Sequence, residues 1–294
     1  MPDQAPDTIS TSRTACIAGE TGLSRHETNA SAAAAYYNDD AVTAFYRLCW
    51  GGSDIHIGRY DSGAETVAQA ATAMTRYLLS LADLKPGSRV LDIACGYGGT
   101  LRELAGHGFH AKGIDIAEAC VEEARRINAE AGLADRIGVE IGDFHNIDSA
   151  ADSWDACICQ DSIIHSSDRP QVFAEVFRVL RPGGVFAFSD ILTAQKADLT
   201  LVDAAFERLG VRGGDTMRDY RAMAARAGLE ITHAEERRHD IEAHYDRLAA
   251  QLRQCTSSLD PQAVSRFGDS IGRWQQALAG GHITWACFIA RKPA

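Results

Sequence analysis

Val90-Leu91-Asp92-Ile93-Ala94-Cys95-Gly96-Tyr97-Gly98-Gly99 decides the fold. A short apolar run ends at an acid, turns tightly through spaced glycines, and opens into helix-forming residues. Gly96 and Gly98 supply positive backbone torsions and let a ligand come close to the main chain. A dinucleotide fingerprint would read Gly-x-Gly-x-x-Gly, its second glycine clearing room for a pyrophosphate. Asp92, beside the turn, offers nothing to an anionic phosphate. It suits a ligand with a cationic head.

Outward from this turn, strand and helix patterns alternate. Strands are expected near 89–94, 109–114, 137–141, 154–159 and 185–189, with helices over 99–105, 117–131 and 171–180 between them. A turn is expected at Arg181-Pro182-Gly183-Gly184. Such alternation implies a largely parallel sheet covered on both faces, and right-handed crossovers make it a doubly wound, Rossmann-like α/β fold. Ahead of it, helices are expected from Ala32 to Trp50 and from Gly63 to Leu84. Behind it, helices near 198–209 and 216–227 precede a strand at 229–235. A helical stretch over 241–278, broken at Asp260-Pro261, precedes a closing strand at 282–290. The division expected is a disordered tail (1–30), an N-terminal helical cap (31–84), a cofactor core (85–195), and a lid with the terminal strands (196–294).

The 294 residues carry 29 Lys and Arg against 40 Asp and Glu, a net charge of −11. That balance argues against a binder of phosphate backbones, which needs a basic face. No run approaches the roughly 20 apolar residues of a membrane span, and the first residues lack a signal-peptide pattern. The eight cysteines form no Cys-x-x-Cys pair. Cys157 and Cys159, two apart on a strand, share one face of the sheet and read as core thiols of a reducing compartment. His107 and His110 lack a second ligand pair for zinc. The expectation is a cytoplasmic, metal-free protein acting on a small molecule, with no nucleic-acid or membrane partner.

Two further acids follow strands. Asp115 ends Gly113-Ile114-Asp115-Ile116, about 20 residues beyond the glycine turn, where a carboxylate reaches ribose hydroxyls. Gly142-Asp143-Phe144 offers a carboxylate to an adenine amine and a ring edge to its face. With Asp92 and Arg181-Pro182-Gly183-Gly184, these segments resemble the Rossmann-like S-adenosylmethionine-dependent methyltransferases over about residues 85–190. The resemblance implies a seven-stranded sheet with its last strand antiparallel and S-adenosylmethionine as cofactor.

A closer resemblance covers about residues 34–292. Tyr36-Tyr37-Asn38-Asp39-Asp40, Phe45-Tyr46, Trp50-Gly51-Gly52-Ser53-Asp54-Ile55-His56, Gln160-Asp161-Ser162-Ile163-Ile164-His165, His244-Tyr245 and Ile283-Thr284-Trp285 are similar to sarcosine/dimethylglycine N-methyltransferases of glycine betaine synthesis. The resemblance implies methyl transfer to the nitrogen of a small amine or amino acid. It implies a cofactor site of Asp92, Gly96, Gly98, Asp115, Ile116, Asp143, Phe144, Gln160 and Tyr37. An amine must be presented with its lone pair free, so a nearby base helps, and His165, Asp161 and His56 are the candidates. If 161–165 is helical, Asp161 and His165 share a face, and Asp161 orients His165 or touches the cofactor's amino end. Arg208 is the expected fork for a carboxylate. Tyr36, Trp50, Tyr245 and Trp285 are the candidate aromatic wall for a cationic nitrogen.

Ile158-Cys159-Gln160-Asp161 stands where that family tends to show Trp-Ser-Gln-Asp. Ser189-Asp190-Ile191-Leu192 stands where it tends to show Thr-Asp-Pro-Met. These departures bear on the acceptor and leave the cofactor reading intact. They keep open a C- or O-methyltransferase on a natural-product or lipid-like scaffold, which an aliphatic, non-polar pocket around Arg208 would favour. A cofactor-sensing module without catalysis is the third reading.

Overall fold

The computed structural model describes residues 32–294, so the tail expected over 1–30 lies outside the described residues. Seven strands form one sheet: β1 (Arg89–Ile93), β2 (His110–Asp115), β3 (Ile137–Ile141), β4 (Trp154–Gln160), β5 (Leu180–Thr193), β6 (Glu230–Glu236) and β7 (Ile283–Arg291). Their order is β3-β2-β1-β4-β5-β7-β6. β1 to β5 pair in parallel, and β7 runs antiparallel to both β5 and β6. This is the expected doubly wound sheet with an antiparallel final strand. The strand order reverses between β1 and β4, so a crevice opens at the carboxyl ends of those strands, where open α/β sheets bind ligands.

The central strands are buried on both faces, which is why their sequences read as unbroken apolar runs. Cys157 and Cys159 lie on one face of β4, as expected, packed with Leu91, Phe173, Phe186 and Phe188. Phe186, Phe188 and Phe288 stack at centroid distances of 4.5 and 4.7 Å on that face. Truncating a buried ring of this kind typically costs about 3–5 kcal/mol.

The helices are α1 (Asp40–Cys49), α2 (Val67–Ala82), α3 (Gly99–Gly106), α4 (Glu118–Glu130), α5 (Arg169–Val179), α6 (Leu199–Phe206), α7 (Met217–Ala227), α8 (Arg238–Gln254) and α9 (Pro261–Ala279). Three boundaries differ from expectation, each for a local reason. The helix expected from Ala32 to Trp50 divides at Asp39, whose carboxylate accepts from the Ala41 and Val42 amides at 2.8 and 3.0 Å. This N-cap starts α1 anew. The helix expected from Gly63 starts at Val67, because Thr66 and Gln69 form a reciprocal capping box. Arg181-Pro182-Gly183-Gly184 falls within β5, where Gly183 takes φ +76° and the register with β4 shifts between Trp154 and Ala156. α8 and α9 are inserted between β6 and β7 and pack against each other. No described helix is long and apolar enough to cross a membrane.

Candidate active site

The glycine turn after β1 is held by the acid that ends β2. The Asp115 carboxylate accepts from the Gly96 amide at 2.8 Å and the Ala117 amide at 2.9 Å, tying the turn to the start of α4. Burial pushes Asp115 up, while those amides pull it back. Gly96 and Gly98 take φ of +50° and +76°, and a Cβ on Gly96 would lie 2.8 Å from Ile55. Ala94 sits in the same left-handed region at φ +87°, a conformation costly for a residue with a Cβ.

A cleft opens beside this turn. Asp115, Ile116, Asp143, Phe144 and Tyr37 line it. Asp92, Gly96, Gly98 and Gln160 do not. Asp92 and Gln160 lie buried behind its wall, and each has an acceptor oxygen (Asp92 Oδ2, Gln160 Oε1) without a hydrogen-bond partner. Burial pushes Asp92 up to about 8. Gln160 Nε2 donates to Thr100 Oγ1 at 2.8 Å and Thr75 Oγ1 at 3.1 Å. Acids and orphaned acceptors around a glycine turn fit a ligand that presents cations and hydroxyl donors, as S-adenosylmethionine does.

A second cavity of about 340 Å³ shares Tyr37, Ile55, Asp161 and His165 with the first. Its remaining wall includes Tyr46, Trp50, Tyr245 and Arg208. Tyr46 and Trp50 are 4.9 Å apart by centroid and Tyr37 and Tyr46 5.8 Å, so three rings face one space. Arg208 is half-buried. Its Nε donates to Ser270 Oγ at 2.9 Å and its Nη1 to the Tyr36 hydroxyl. Among the described residues no carboxylate pairs with Arg208. Burial lowers its pKa, as do Arg266 and Arg273 nearby, against Tyr245. A cation so placed asks for an anion.

The candidate bases occupy different positions. His165 stands in a short turn (Ile163–His165) after β4 and lines both cavities. Its Nε2 lies 3.2 Å from the Tyr37 hydroxyl, and its Nδ1 is buried without a partner. Burial, then the Arg169 charge, push it down to about 4, so the imidazole is neutral near pH 7. Arg169 also donates to the Ile164 carbonyl at 2.9 Å and pairs with Asp215 at 2.5 Å. Asp161 takes φ +56° outside any helix, and its carboxylate is committed elsewhere than to His165. Its Oδ1 accepts from Trp285 Nε1 at 2.6 Å and Ser189 Oγ at 2.7 Å, and its Oδ2 from the Ile57 amide at 2.6 Å. The expected helical face shared by Asp161 and His165 is thus absent, because the left-handed backbone at Asp161 aims its carboxylate at these three donors. His165 is oriented by Tyr37 instead. His56 lies outside both cavities, near Asp54 (3.5 Å) and Thr75 (3.4 Å). Burial opposes its charge, but Asp54 and Asp161 outweigh it and raise its pKa.

Trp285, expected on the acceptor wall, is fully buried behind it and reaches the site only through Asp161. Tyr36 reaches it through Arg208 and through its edge-on packing against Tyr37 at 4.9 Å. Residues that sequence reasoning did not assign include Tyr46, Ile57, Ile191 and Leu209 on the second cavity. Asp54 was also missed, although its carboxylate lies where a Cβ on Gly99 would sit, at the start of α3. Tyr46 had a readable signal, since it precedes Trp50 by four on one helical face. Outside the site, His233, Glu235 and Cys287 bring ligand atoms within 4.8 Å of one another. Both Glu235 oxygens there already receive donors, from Tyr77 and from Arg237 at 2.7 Å.

Residues 84–228 match the methyltransferase-domain family. The chain is 34% identical to dimethylglycine N-methyltransferase of Parasynechococcus marenigrum (strain WH8102), over 90% of this chain and 96% of the relative. It is 31% identical to the sarcosine/dimethylglycine N-methyltransferase of Aphanothece halophytica, over 88% and 95%. Among solved structures, a protein assigned as a sarcosine dimethylglycine methyltransferase from Galdieria sulphuraria superposes with a TM-score of 0.80. That match has 28% identity and covers 87% of this chain and 99% of the other.

Proposed function

The chain belongs to the S-adenosylmethionine-dependent sarcosine/dimethylglycine N-methyltransferases, and on that premise we propose that it methylates the nitrogen of a small amino acid whose carboxylate is held by Arg208. The observation that carries the reading is Arg208 itself: a half-buried guanidinium without a carboxylate partner among the described residues, in an aromatic-walled cavity that shares a wall with the cofactor cleft. A carboxylate there neutralises the cation through charge-assisted hydrogen bonds. It leaves the amine of an α-amino acid facing the shared wall of Tyr37 and His165.

Bound S-adenosylmethionine supplies a sulfonium-activated methyl group. Asp115, Asp143 and Phe144 line the cleft that would hold the nucleoside. Asp92 and Gln160, buried behind that cleft with unpartnered oxygens, support it as acceptors for a cationic amino-acid end. The protein's task is alignment, which makes the transfer effectively unimolecular. Arg208 fixes one end of the acceptor. The faces of Tyr37, Tyr46 and Trp50 attract the nitrogen as it becomes cationic. Neutral His165, with Nδ1 unpartnered, accepts a hydrogen bond from an amine that still carries an N–H and so aims its lone pair. Asp161, saturated by three donors, braces the wall between the two cavities.

A charged floor to the acceptor cavity favours this reading over methylation of a lipid-like scaffold. The seven described cysteines are all free thiols, which supports a cytoplasmic site of action. Labelled S-adenosylmethionine offered with glycine, sarcosine, dimethylglycine, a phenol and a lipid tests the proposal. Label should enter the N-methylated amino acids. Label in the phenol or lipid alone would refute it.

A further inference from the structure

Two cysteines meet where the N-terminal helices touch the inserted ones. Cys49 ends α1, and Cys255 caps the end of α8. Burial and the neighbouring Cys255 thiol hold the Cys49 thiol well above its ordinary range. Cys255 Sγ lies 3.7 Å from the carbonyl oxygen of Leu48, the residue before Cys49. Gln251 Nε2 bridges the same place, 3.5 Å from the Leu48 carbonyl and 3.8 Å from Cys255 Sγ. Cys49 is 1% exposed, whereas Cys255 is partly exposed. A cavity lined by Cys49, Gln251 and Gln254 opens on the Cys49 side, and Cys255 is reached from solvent through its own partly exposed surface. Neither thiol lines the cofactor cleft or the acceptor cavity.

We propose that Cys49 and Cys255 form a modification site, at which a hydroperoxide joins them in a reversible disulfide that clamps α1 to α8. The chemistry balances in two steps. The exposed Cys255 sulfur attacks the peroxide. The O–O bond breaks, the peroxide is reduced to an alcohol or water, and Cys255 becomes a sulfenic acid. Cys49 sulfur then attacks Cys255 sulfur. The S–S bond forms and the S–O bond breaks, and the Cys49 proton leaves with the hydroxyl as water. A dithiol reductant reverses the link by exchange.

The clamp acts on the acceptor cavity through both partners. Trp50 follows Cys49 directly and Tyr245 projects from α8, and both line that cavity. Fixing α1 against α8 restricts the opening that an enclosed acceptor needs to enter and leave. This consequence for turnover rests on the acceptor reading above. The link itself does not.

The purified full chain is treated with hydrogen peroxide, blocked with a thiol alkylating agent, and digested with trypsin. Peptides 48–59 and 254–266 should appear joined, at their summed mass less two hydrogens, and separate after dithiothreitol. Methyl transfer should fall several-fold with the link and recover on reduction. Cys255→Ser should neither link nor lose activity, and Cys49→Ala guards against a folding defect in one variant. Recovery of the two peptides unlinked, with Cys255 intact or carried on to sulfinic acid, would overturn the proposal. Equal peroxide sensitivity of Cys255→Ser would overturn it too. A linked chain that turns over at the reduced rate would overturn the clamp, and absence of turnover before oxidation would count against the acceptor reading alone.

Discussion

Asp161→Asn separates a brace from a base. The native carboxylate accepts at 2.6 Å from Ile57, 2.6 Å from Trp285 and 2.7 Å from Ser189, and it holds a left-handed backbone that asparagine also tolerates. In the better amide orientation the oxygen keeps Trp285 and Ser189. The NH2 then faces the Ile57 amide, donor against donor. Stranding that amide costs about 1–3 kcal/mol, and the two surviving bonds lose their charge assistance, roughly 1 kcal/mol each. Relief of the buried charge offsets part of this, leaving about 2–4 kcal/mol. In a chain of this size that is a fall of about 3–7 °C in Tm. Differential scanning fluorimetry and urea denaturation of the cofactor-free protein read it directly. Trp285→Phe should cost about 1.5–3 kcal/mol alone, and a double-mutant cycle should show coupling above about 0.5 kcal/mol. If Asp161→Asn kept wild-type stability while kcat fell by orders of magnitude, Asp161 would be the base and the brace would be wrong.

Four other outcomes follow from the same geometry. Arg208→Ala should raise KM for a carboxylate acceptor about 10- to 100-fold, the worth of about 1.5–3 kcal/mol for a charged hydrogen bond, and leave cofactor Kd within twofold. Asp115→Ala should do the converse in calorimetry, because it frees the glycine turn and the start of α4 together. Asp92, pushed by burial from the ordinary 3.8 up to about 8, binds its proton more tightly in the folded state. Its contribution to apo-protein stability is therefore lost as pH rises between those values. Asp92→Asn should flatten that pH dependence in denaturant titrations and weaken cofactor binding. Ala94→Gly, at φ +87°, should stabilise by about 0.5–1 kcal/mol, the relief of left-handed strain less glycine's greater unfolded entropy, seen as a higher urea midpoint.

What the sequence made legible is local. β1, the glycine turn and α3 form one continuous segment, so Val90–Gly99 carries its own geometry. Asp115 was placed by its spacing at the end of the next strand. Arg208 was found through family pattern, since nothing near it in sequence marks a cavity floor. What stayed hidden depends on contacts between distant segments. Asp161 meets Ile57 across 104 positions and Trp285 across 124, and His165 meets Tyr37 across 128. No periodicity encodes such pairs, so Asp161 read as a partner of His165 and Trp285 as a wall residue. The Thr66–Gln69 capping box was legible, and it outweighs Gly63 as a helix start because it satisfies two amide groups at once.

The central question is whether Arg208 reads the acceptor's carboxylate. The most direct measurement compares kcat/KM for dimethylglycine and its methyl ester, in the wild-type protein and in Arg208→Ala. The account predicts a preference for the free acid of about 10- to 100-fold in the wild type, collapsing towards unity in the variant. Equal use of acid and ester by the wild-type protein, or a preference that survives in Arg208→Ala, would contradict it.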